Sequence, residues 1–204
     1  MPTGSVSEAD ERPAAAPERS TRDALMDAAL DLLDERGVLA GINLREVADR
    51  VGVTPANVYH LFGSRQGLLR AALARETERL AGPVAEAAQL PFVARRLRLY
   101  DVIGERRRLT LTALLALDGD PDYQPLPFLD STRAQYRAQV DAGEIAADID
   151  IDAAHLVALA TSIALAIYGD HAARQLGVPT EELRARARVL LERMLESVVP
   201  TPPA

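Results

Sequence analysis

The chain has 204 residues, of which 48% are hydrophobic, 26% are charged and only 4% are aromatic, so a helical fold with an aliphatic core is favoured. Cysteine is absent, which excludes disulfides, iron–sulfur clusters, thiolate metal sites and thiol nucleophiles. All 23 basic residues are arginine and 30 residues are acidic, and the net charge of −7, taken over the whole chain, argues against a nucleic-acid partner.

The N-terminal residues 1–18 are rich in acids and prolines, where a secretory signal would have a basic end followed by an apolar run. We therefore expect a disordered tail on a cytoplasmic protein. The most apolar stretch, residues 153–168, has sixteen residues and falls short of the roughly 20 that a membrane-spanning helix needs. No membrane partner is predicted.

The first predicted helix begins after the tail at Ser20, which together with Asp23 forms the pattern of a helix N-cap. Apolar residues then recur every three or four positions until Gly37 ends the helix. This apolar stripe consists of Leu25, Ala28, Ala29, Leu32 and Leu33.

Two short helices follow. Asn43 caps the first and Gly52 ends it, while Thr54 caps the second, Pro55 occupies its first position and Gly63 ends it. Short helices bury little surface alone, so both must pack against the first helix. Two short helices joined through a glycine turn and braced by a longer one predict a helix-turn-helix domain, in which the second short helix keeps one face free.

The rest of the chain is divided by glycines and prolines, including a break at Gly82 and Pro83, and no segment alternates as a strand would. The fold class is therefore all-α, with about nine helices in an N-terminal three-helix helix-turn-helix domain, 19–66, and a larger C-terminal helical bundle, 67–199. The further predicted helices cover 64–80, 84–103, 105–117, 127–142, 152–175 and 180–198.

The helix over 152–175 is apolar around much of its circumference and must be buried on nearly all sides, and the helix over 180–198 carries an apolar stripe. They are well suited to form a four-helix bundle with their copies in a second subunit, which predicts a homodimer. The predicted interface residues are Leu156, Leu159, Ile163, Ile167, Leu183, Leu190 and Met194.

The charge balance changes when it is taken by segment. Between Arg50 and Arg75 the sequence contains four arginines and His60 but no Asp or Glu. Because salt screens each charge beyond about 10 Å, an acid-free window around the free helix face favours contact with phosphates even in an acidic protein.

A family resemblance lies in this region, in the stretch NLREVADRVGVTPANVYHLFGSRQGLL and the preceding helix STRDALMDAALDLLDERG. These roughly fifty residues resemble the DNA-binding domain of the TetR/AcrR family of bacterial transcriptional repressors, through the short-helix pair, Tyr59 and Phe62, and the basic Arg65. The later segment GEIAADIDIDAAHLVALATSIALAIYGD also resembles the entry into the dimerising helix of family members.

The resemblance implies that Tyr59 hydrogen-bonds a backbone phosphate and that Arg65 stands where the family usually has a phosphate-binding lysine. Thr54 offers a hydroxyl to an anion and also serves as a plain cap. Arg45 matches positions that contact the DNA backbone, with hydration alone as the alternative.

Base reading is expected from the same helix. Asn57 can pair with adenine, His60 can donate to a purine acceptor, and Pro55 and Ala56 supply close apolar contacts. For His60 a phosphate contact or simple solvent exposure is an equal alternative.

The family further implies a dimer on an inverted-repeat operator in double-stranded DNA and release by a small, largely apolar effector bound within residues 84–175. Scarce aromatics and their neighbours are candidates to line the pocket, or ordinary core residues: Tyr100, Leu115, Tyr123, Phe128, Tyr136 and His155. The arginines at 95, 96 and 98 and at 106–108 are interpreted as solvated helix faces, one of which could meet an acidic ligand.

No catalytic triad, cofactor motif or metal-ligand set is present in the sequence pattern, and His155 and His171 are too far apart along one helix to share a metal. The protein is therefore predicted not to be an enzyme and to need no cofactor. A helical enzyme or a protein-interaction module that retains the helix-turn-helix as scaffold is the alternative, and salt-sensitive DNA binding discriminates between them.

Overall fold

The computed structural model describes residues 20–200, apart from the side chains of Leu39 and Arg106, and within that range it consists of ten α-helices and one 3-10 turn, without strands. The all-α fold class is confirmed; the predicted tail, 1–18, lies outside the described residues. The helices are α1 Thr21–Arg36, α2 Leu44–Val51, α3 Pro55–Phe62, α4 Arg65–Glu78, α5 Ala81–Ala87, α6 Phe92–Ile103, α7 Arg106–Leu117, α8 Leu129–Asp141, α9 Ile151–Leu176 and α10 Thr180–Glu196, with the 3-10 turn at Val38–Ala40.

The caps of the first two helices form as predicted. The Ser20 hydroxyl accepts from the backbone N–H of Asp23 at 3.1 Å, and Asn43 Oδ1 accepts from that of Arg45 at 2.9 Å. Gly52 ends α2 with a φ of 77°, a left-handed conformation that glycine adopts without a steric cost. Thr54 precedes α3 in extended geometry but makes no side-chain cap hydrogen bond.

The main hydrophobic core lies beneath the helix-turn-helix and extends into the C-terminal part. Leu25, Val47 and Val58 are fully buried in it together with Leu111 and Leu115 of α7. Each buried leucine contributes on the order of 2 kcal/mol through removal of apolar area from water. The head formed by α1–α4 is therefore packed onto α7, and it shares one core with that helix.

Two helix boundaries differ from those predicted. Pro91 divides the single helix expected over 84–103, because the ring of a proline disfavours helical geometry in the preceding residue. Gly82 and Pro83 lie inside α5, since a proline in the first helical turn lacks only an N–H that would have no partner there. The division at Pro91 accounts for ten helices instead of nine, and the position of Gly82 and Pro83 moves only the start of α5.

The C-terminal helices enclose a second, smaller core. Phe92 and Tyr136 meet edge to face with ring centroids 5.8 Å apart, and Ile145 is buried beside them. The long helix α9 crosses this region in contact with α6, α7, α8 and α10.

The sixteen-residue estimate for the apolar stretch is too short, because α9 has 26 residues and is long and apolar enough to cross a membrane. Only 17% of its most apolar window is buried within one protomer. Length and composition alone are a weak indication, since core and interface helices of soluble proteins share them.

A close approach of backbones fixes α4 against α3. A Cβ added at Gly67 would overlap the carbonyl oxygen of Phe62, whereas a Cβ added at Gly82 would meet no atom within 4 Å. We expect Gly67→Ala to lower the free energy of unfolding by about 1–3 kcal/mol through overpacking, and Gly82→Ala to leave it equal or raise it by about 0.5 kcal/mol. Urea titration followed by circular dichroism measures both, and equal effects would show that the approach is not constrained.

Candidate nucleic-acid interface

Helix α3 has one face in the core and one face in solvent. Val58 is fully buried and Leu61 and Phe62 are half-buried against the head, because their spacing places them on one side of the helix. The opposite side is exposed, and Tyr59 has 56% of its surface accessible. The exposed residues of α3 are Ala56, Asn57, Tyr59 and His60, and Pro55 is half-buried.

A side-chain contact orders the start of α3. The Thr54 hydroxyl donates to Oδ1 of Asn57 at 3.3 Å, and the Thr54 carbonyl accepts from the Asn57 backbone N–H at 3.0 Å. With its oxygen engaged, the Asn57 amide has no partner for its two N–H donors among residues 20–200. Such a pre-oriented donor suits an acceptor on a base edge.

The far end of α3 is held by a residue that sequence reasoning missed. Arg22 of α1 donates to the Leu61 carbonyl at 2.9 Å, and its guanidinium lies 4.6 Å from the centroid of the Phe62 ring. A cation at a helix C-terminus is favourable because of the helix dipole. No local pattern around Arg22 points to a partner 39 residues away.

The interpretation of the acid-free window, residues 50–75, as a free positive surface is wrong. Carboxylates from other segments fold onto all four of its arginines, because pairing in space does not follow neighbourhood in sequence. The pairs are Arg50–Glu35 at 2.7 Å, Arg65–Asp118 at 3.2 Å, Arg70–Asp120 at 2.6 Å and Arg75–Asp27 at 2.6 Å.

The ion pair between Arg50 of α2 and Glu35 of α1 shifts the pKa values of both groups. Two hydrogen bonds join Arg50 to Glu35, and they raise the pKa of Arg50 and lower the pKa of Glu35. Arg45 on the same helix is exposed and forms no ion pair with any of residues 20–200. Arg45 is therefore a free cation of the head, and a phosphate would have to compete with Asp118 for Arg65.

The apolar helix α9 and the amphipathic helix α10 leave several large apolar side chains uncovered. Of the seven predicted interface residues, Leu156, Leu190 and Met194 are exposed, and Ile163, Ile167 and Leu183 are half-buried. Leu159 instead is buried inside the protomer, on the inner side of α9. Exposed apolar residues absent from the prediction are Val157, Tyr168, Leu176 and Val189.

A cavity with about 50 Å³ of free volume lies among α5–α10. Tyr100, Phe128 and His155 line it as predicted for a pocket. The other three candidates do not: Leu115 and Tyr123 pack with the main core, and Tyr136 packs on Phe92.

The arginines expected on solvated faces are partly internal. Arg95, Arg96 and Arg108 are all buried, which corrects that expectation for these three; Arg96 and Arg108 line the cavity. Helix α6 packs against α5, α9 and α10, and α7 packs against α4 and α9, so these three arginines lie on packed sides of their helices, whereas Arg98 lies on the exposed side of α6.

Two aspartates at the start of α9 have structural roles. Asp150 caps α9 by accepting from the Ala153 N–H at 3.0 Å, and Asp152 pairs with Arg133 at 2.7 Å. In the described part of the chain no three His, Cys, Asp or Glu side chains converge as metal ligands.

Comparison with known proteins identifies the head. Residues 25–72 match the model of the family described as bacterial regulatory proteins, tetR family. Over 52 residues the chain is 44% identical to the HTH-type transcriptional regulator BetI of Rhizobium meliloti (strain 1021), covering 26% of this chain and 25% of that protein. The chain thus matches about a quarter of the length of this curated relative.

Solved structures share the whole fold. GusR of Salmonella enterica superposes with a TM-score of 0.65 at 19% identity, over 91% of this chain and 98% of its own. A Rhodococcus sp. protein assigned to the TetR family of transcriptional regulators superposes with a TM-score of 0.66 at 20% identity, over 88% of this chain and 98% of its own. At these identities the likeness establishes the fold.

Arg50 has an ion-pair partner and Arg45 has none among residues 20–200, so the two arginines should contribute differently to DNA binding. Arg45→Ala should weaken binding to non-specific duplex DNA and reduce the log–log salt slope by about one, because one phosphate contact is lost. Arg50→Ala should leave the slope nearly unchanged, since Glu35 already balances that charge. Fluorescence anisotropy over a salt series measures both, and identical slopes for the two variants would contradict the assignment.

Proposed function

We propose that this chain, whose residues 25–72 match the model of the family described as bacterial regulatory proteins, tetR family, is a homodimeric, DNA-binding transcriptional repressor. The observation that carries the proposal is the exposed face of α3, which is the second short helix of a helix-turn-helix and has no structural duty within the protomer. Its role is regulatory and not catalytic.

In this proposal α3 enters the major groove of an operator. The Tyr59 phenol donates to a backbone phosphate, while the Asn57 amide and the His60 imidazole read base edges. Thr54 and Arg45 add contacts to the DNA backbone. Arg22 supports the docking by fixing the C-terminal end of α3 without facing the operator itself.

The dimer is formed through the apolar face of α9 and α10. Leucine, valine and methionine side chains exposed there would lose contact with water when the same face of a second subunit covers them. A two-fold axis between the subunits requires an inverted-repeat operator, with half-sites about one helical turn or slightly more apart.

A small effector with an apolar body is proposed to bind in the cavity and to release the DNA. Helix α7 offers the connection: Arg108 lines the cavity, and Asp118, directly after the helix, accepts from Arg65 and from Gln66, the latter at 2.9 Å. The 12 residues of α7 span about 18 Å. An effector that binds better when α7 is displaced would favour the form with the heads wrongly spaced for the operator.

The operator test starts with recovery of genomic fragments bound by the protein, followed by titration of one recovered inverted repeat. Tyr59→Phe should weaken binding by about 1–2 kcal/mol, or roughly 5- to 30-fold, because one hydrogen bond to a charged phosphate is lost. Tyr168→Phe is the matched control, since it removes a hydroxyl from another exposed tyrosine, on α9, and keeps the aromatic ring that the proposed dimer face would bury. Unchanged affinity for Tyr59→Phe would place the docking face elsewhere, and binding that ignores salt would favour a protein-interaction module.

The dimer test uses two exposed leucines in different places. Leu190→Glu should convert the dimer to a monomer of 22.0 kDa, because it places a charge on the α10 face. Leu117→Glu is the control, since Leu117 is 87% exposed at the end of α7, away from that face. Sedimentation equilibrium distinguishes the species, and a dimer that tolerates Leu190→Glu would require a different interface.

A further inference from the structure

Three basic side chains meet in the cavity among α5–α10. Arg96, Arg108 and His155 all line it, and only 7%, 2% and 8% of their surfaces are exposed. Two of the three are guanidinium groups, which remain protonated under ordinary conditions. The cavity is therefore electropositive although it is internal.

These side chains have unused hydrogen-bonding atoms. Nε and Nη2 of Arg96, Nε of Arg108 and both ring nitrogens of His155 are buried without a hydrogen-bond partner. Arg108 donates to the Ile103 carbonyl, and the Arg96 guanidinium lies 4.3 Å from the centroid of the Tyr136 ring. A carbonyl and an aromatic ring stabilise a cation only in part, because neither carries a formal negative charge.

No carboxylate is in the cavity wall, since the lining residues include neither Asp nor Glu. This sets the cavity apart from the head, where each arginine of the acid-free window has an acidic partner. Burying an unpaired charge costs several kcal/mol, and unpaired buried donors add to that cost. Such an arrangement is typical of a site whose missing partner is a ligand.

The pKa shifts agree with this geometry. Burial lowers the pKa of Arg96 against the opposite effect of Tyr136, and it lowers the pKa of Arg108 against the opposite effects of Glu105 and Tyr123. Burial also lowers the pKa of His155, and the charge of Arg96 lowers it further, while the Pro127 carbonyl and Asp152 act in the opposite direction. For all three groups, burial outweighs the opposing interactions.

The remaining lining residues indicate that the ligand has an apolar body beyond its charged group. Most of it is aliphatic or aromatic, and a few neutral polar side chains complete it. Phe128, at the cavity wall, has a φ of 57°, a left-handed conformation that is strained for a bulky residue and that occurs most often at functional sites. Apolar lining residues include Leu80, Leu99, Ile103, Leu159, Leu191 and Leu195.

We propose that this cavity binds a small organic carboxylate with an apolar body. The two carboxylate oxygens accept from the guanidinium groups of Arg96 and Arg108, His155 supplies a further hydrogen bond, and the apolar body lies against the aliphatic wall. A free volume of about 50 Å³ holds little more than the head group, so the walls move outward when the ligand enters. The proposal deepens the proposed function, on which it rests only for the role of this ligand as effector.

The binding test uses the full chain without DNA and compares octanoate and phenylacetate with their neutral amides, octanamide and phenylacetamide. At about 100 times Kd each bound carboxylate should raise Tm by about 5–10 °C, whereas the amides and inorganic phosphate should shift it by less than about 1 °C. Isothermal titration calorimetry then measures the affinity. Amides that stabilise as much as the acids, phosphate that stabilises equally, or no shift with either acid would overturn the proposal.

Substitutions of Arg96 and Arg108 test whether these arginines bind the carboxylate. Arg96→Met and Arg108→Met should each lower carboxylate affinity at least tenfold and raise the Tm of the ligand-free protein, because an unpaired buried charge is removed. Arg98→Met is the matched control: Arg98 lies on α6 beside Arg96 but is exposed, so carboxylate binding should be unchanged. Retained affinity in both cavity variants, or an equal loss in the control, would overturn the assignment.

The raised Tm of the ligand-free variants also shows that they fold, so loss of binding cannot be attributed to misfolding. A final arm adds octanoate or phenylacetate to the protein bound to its operator. Carboxylate binding without release of DNA supports the site and rejects its role as effector site. A chain that binds the carboxylate but no operator supports the site and rejects the proposed regulatory function.

Discussion

The packing of α7 against the head is the contact on which both halves of the molecule depend. Leu111 and Leu115 are buried in the core beneath α1–α4, so part of the apolar surface of the head is covered by α7. The same helix carries Arg108 into the C-terminal cavity and ends beside Asp118, which holds the start of α4. A rigid helix thus has an electrostatic contact near each end and an apolar contact along its length, which suits the transmission of a displacement.

Charge compensation distinguishes the surfaces of this protein. A chain that contains no lysine and more acids than arginines can pair nearly every cation, and in the head it does so for Arg50, Arg65, Arg70 and Arg75. Cations without such partners therefore stand out. Arg45 is unpaired and exposed beside the free helix face, where water solvates it cheaply, whereas Arg96 and Arg108 are unpaired and buried, where the lack of an acid costs stability.

Local patterns predicted the elements whose causes are local. Ser20 and Asn43 act as caps, and Val58 faces inward, because capping and helical periodicity depend on residues within one or two turns. The helix boundaries were less accurate: Pro91 divided a predicted helix, and Gly82 and Pro83 lie inside α5 and not in the break before it. A proline acts differently in the first turn of a helix and in its interior, and the sequence leaves open which of these positions it occupies.

The sequence by itself determined the all-helical class, the helix-turn-helix, its exposed helix and its relation to the tetR family, because repeated spacing and short-range capping encode them. Only the tertiary structure decided which charges remain free. Arg65 lies 53 residues from the aspartate that pairs with it, and the arginines predicted for solvent turn inward once α6 and α7 are enclosed. Electrostatic environment depends on which distant segments meet, and long-range packing sets that.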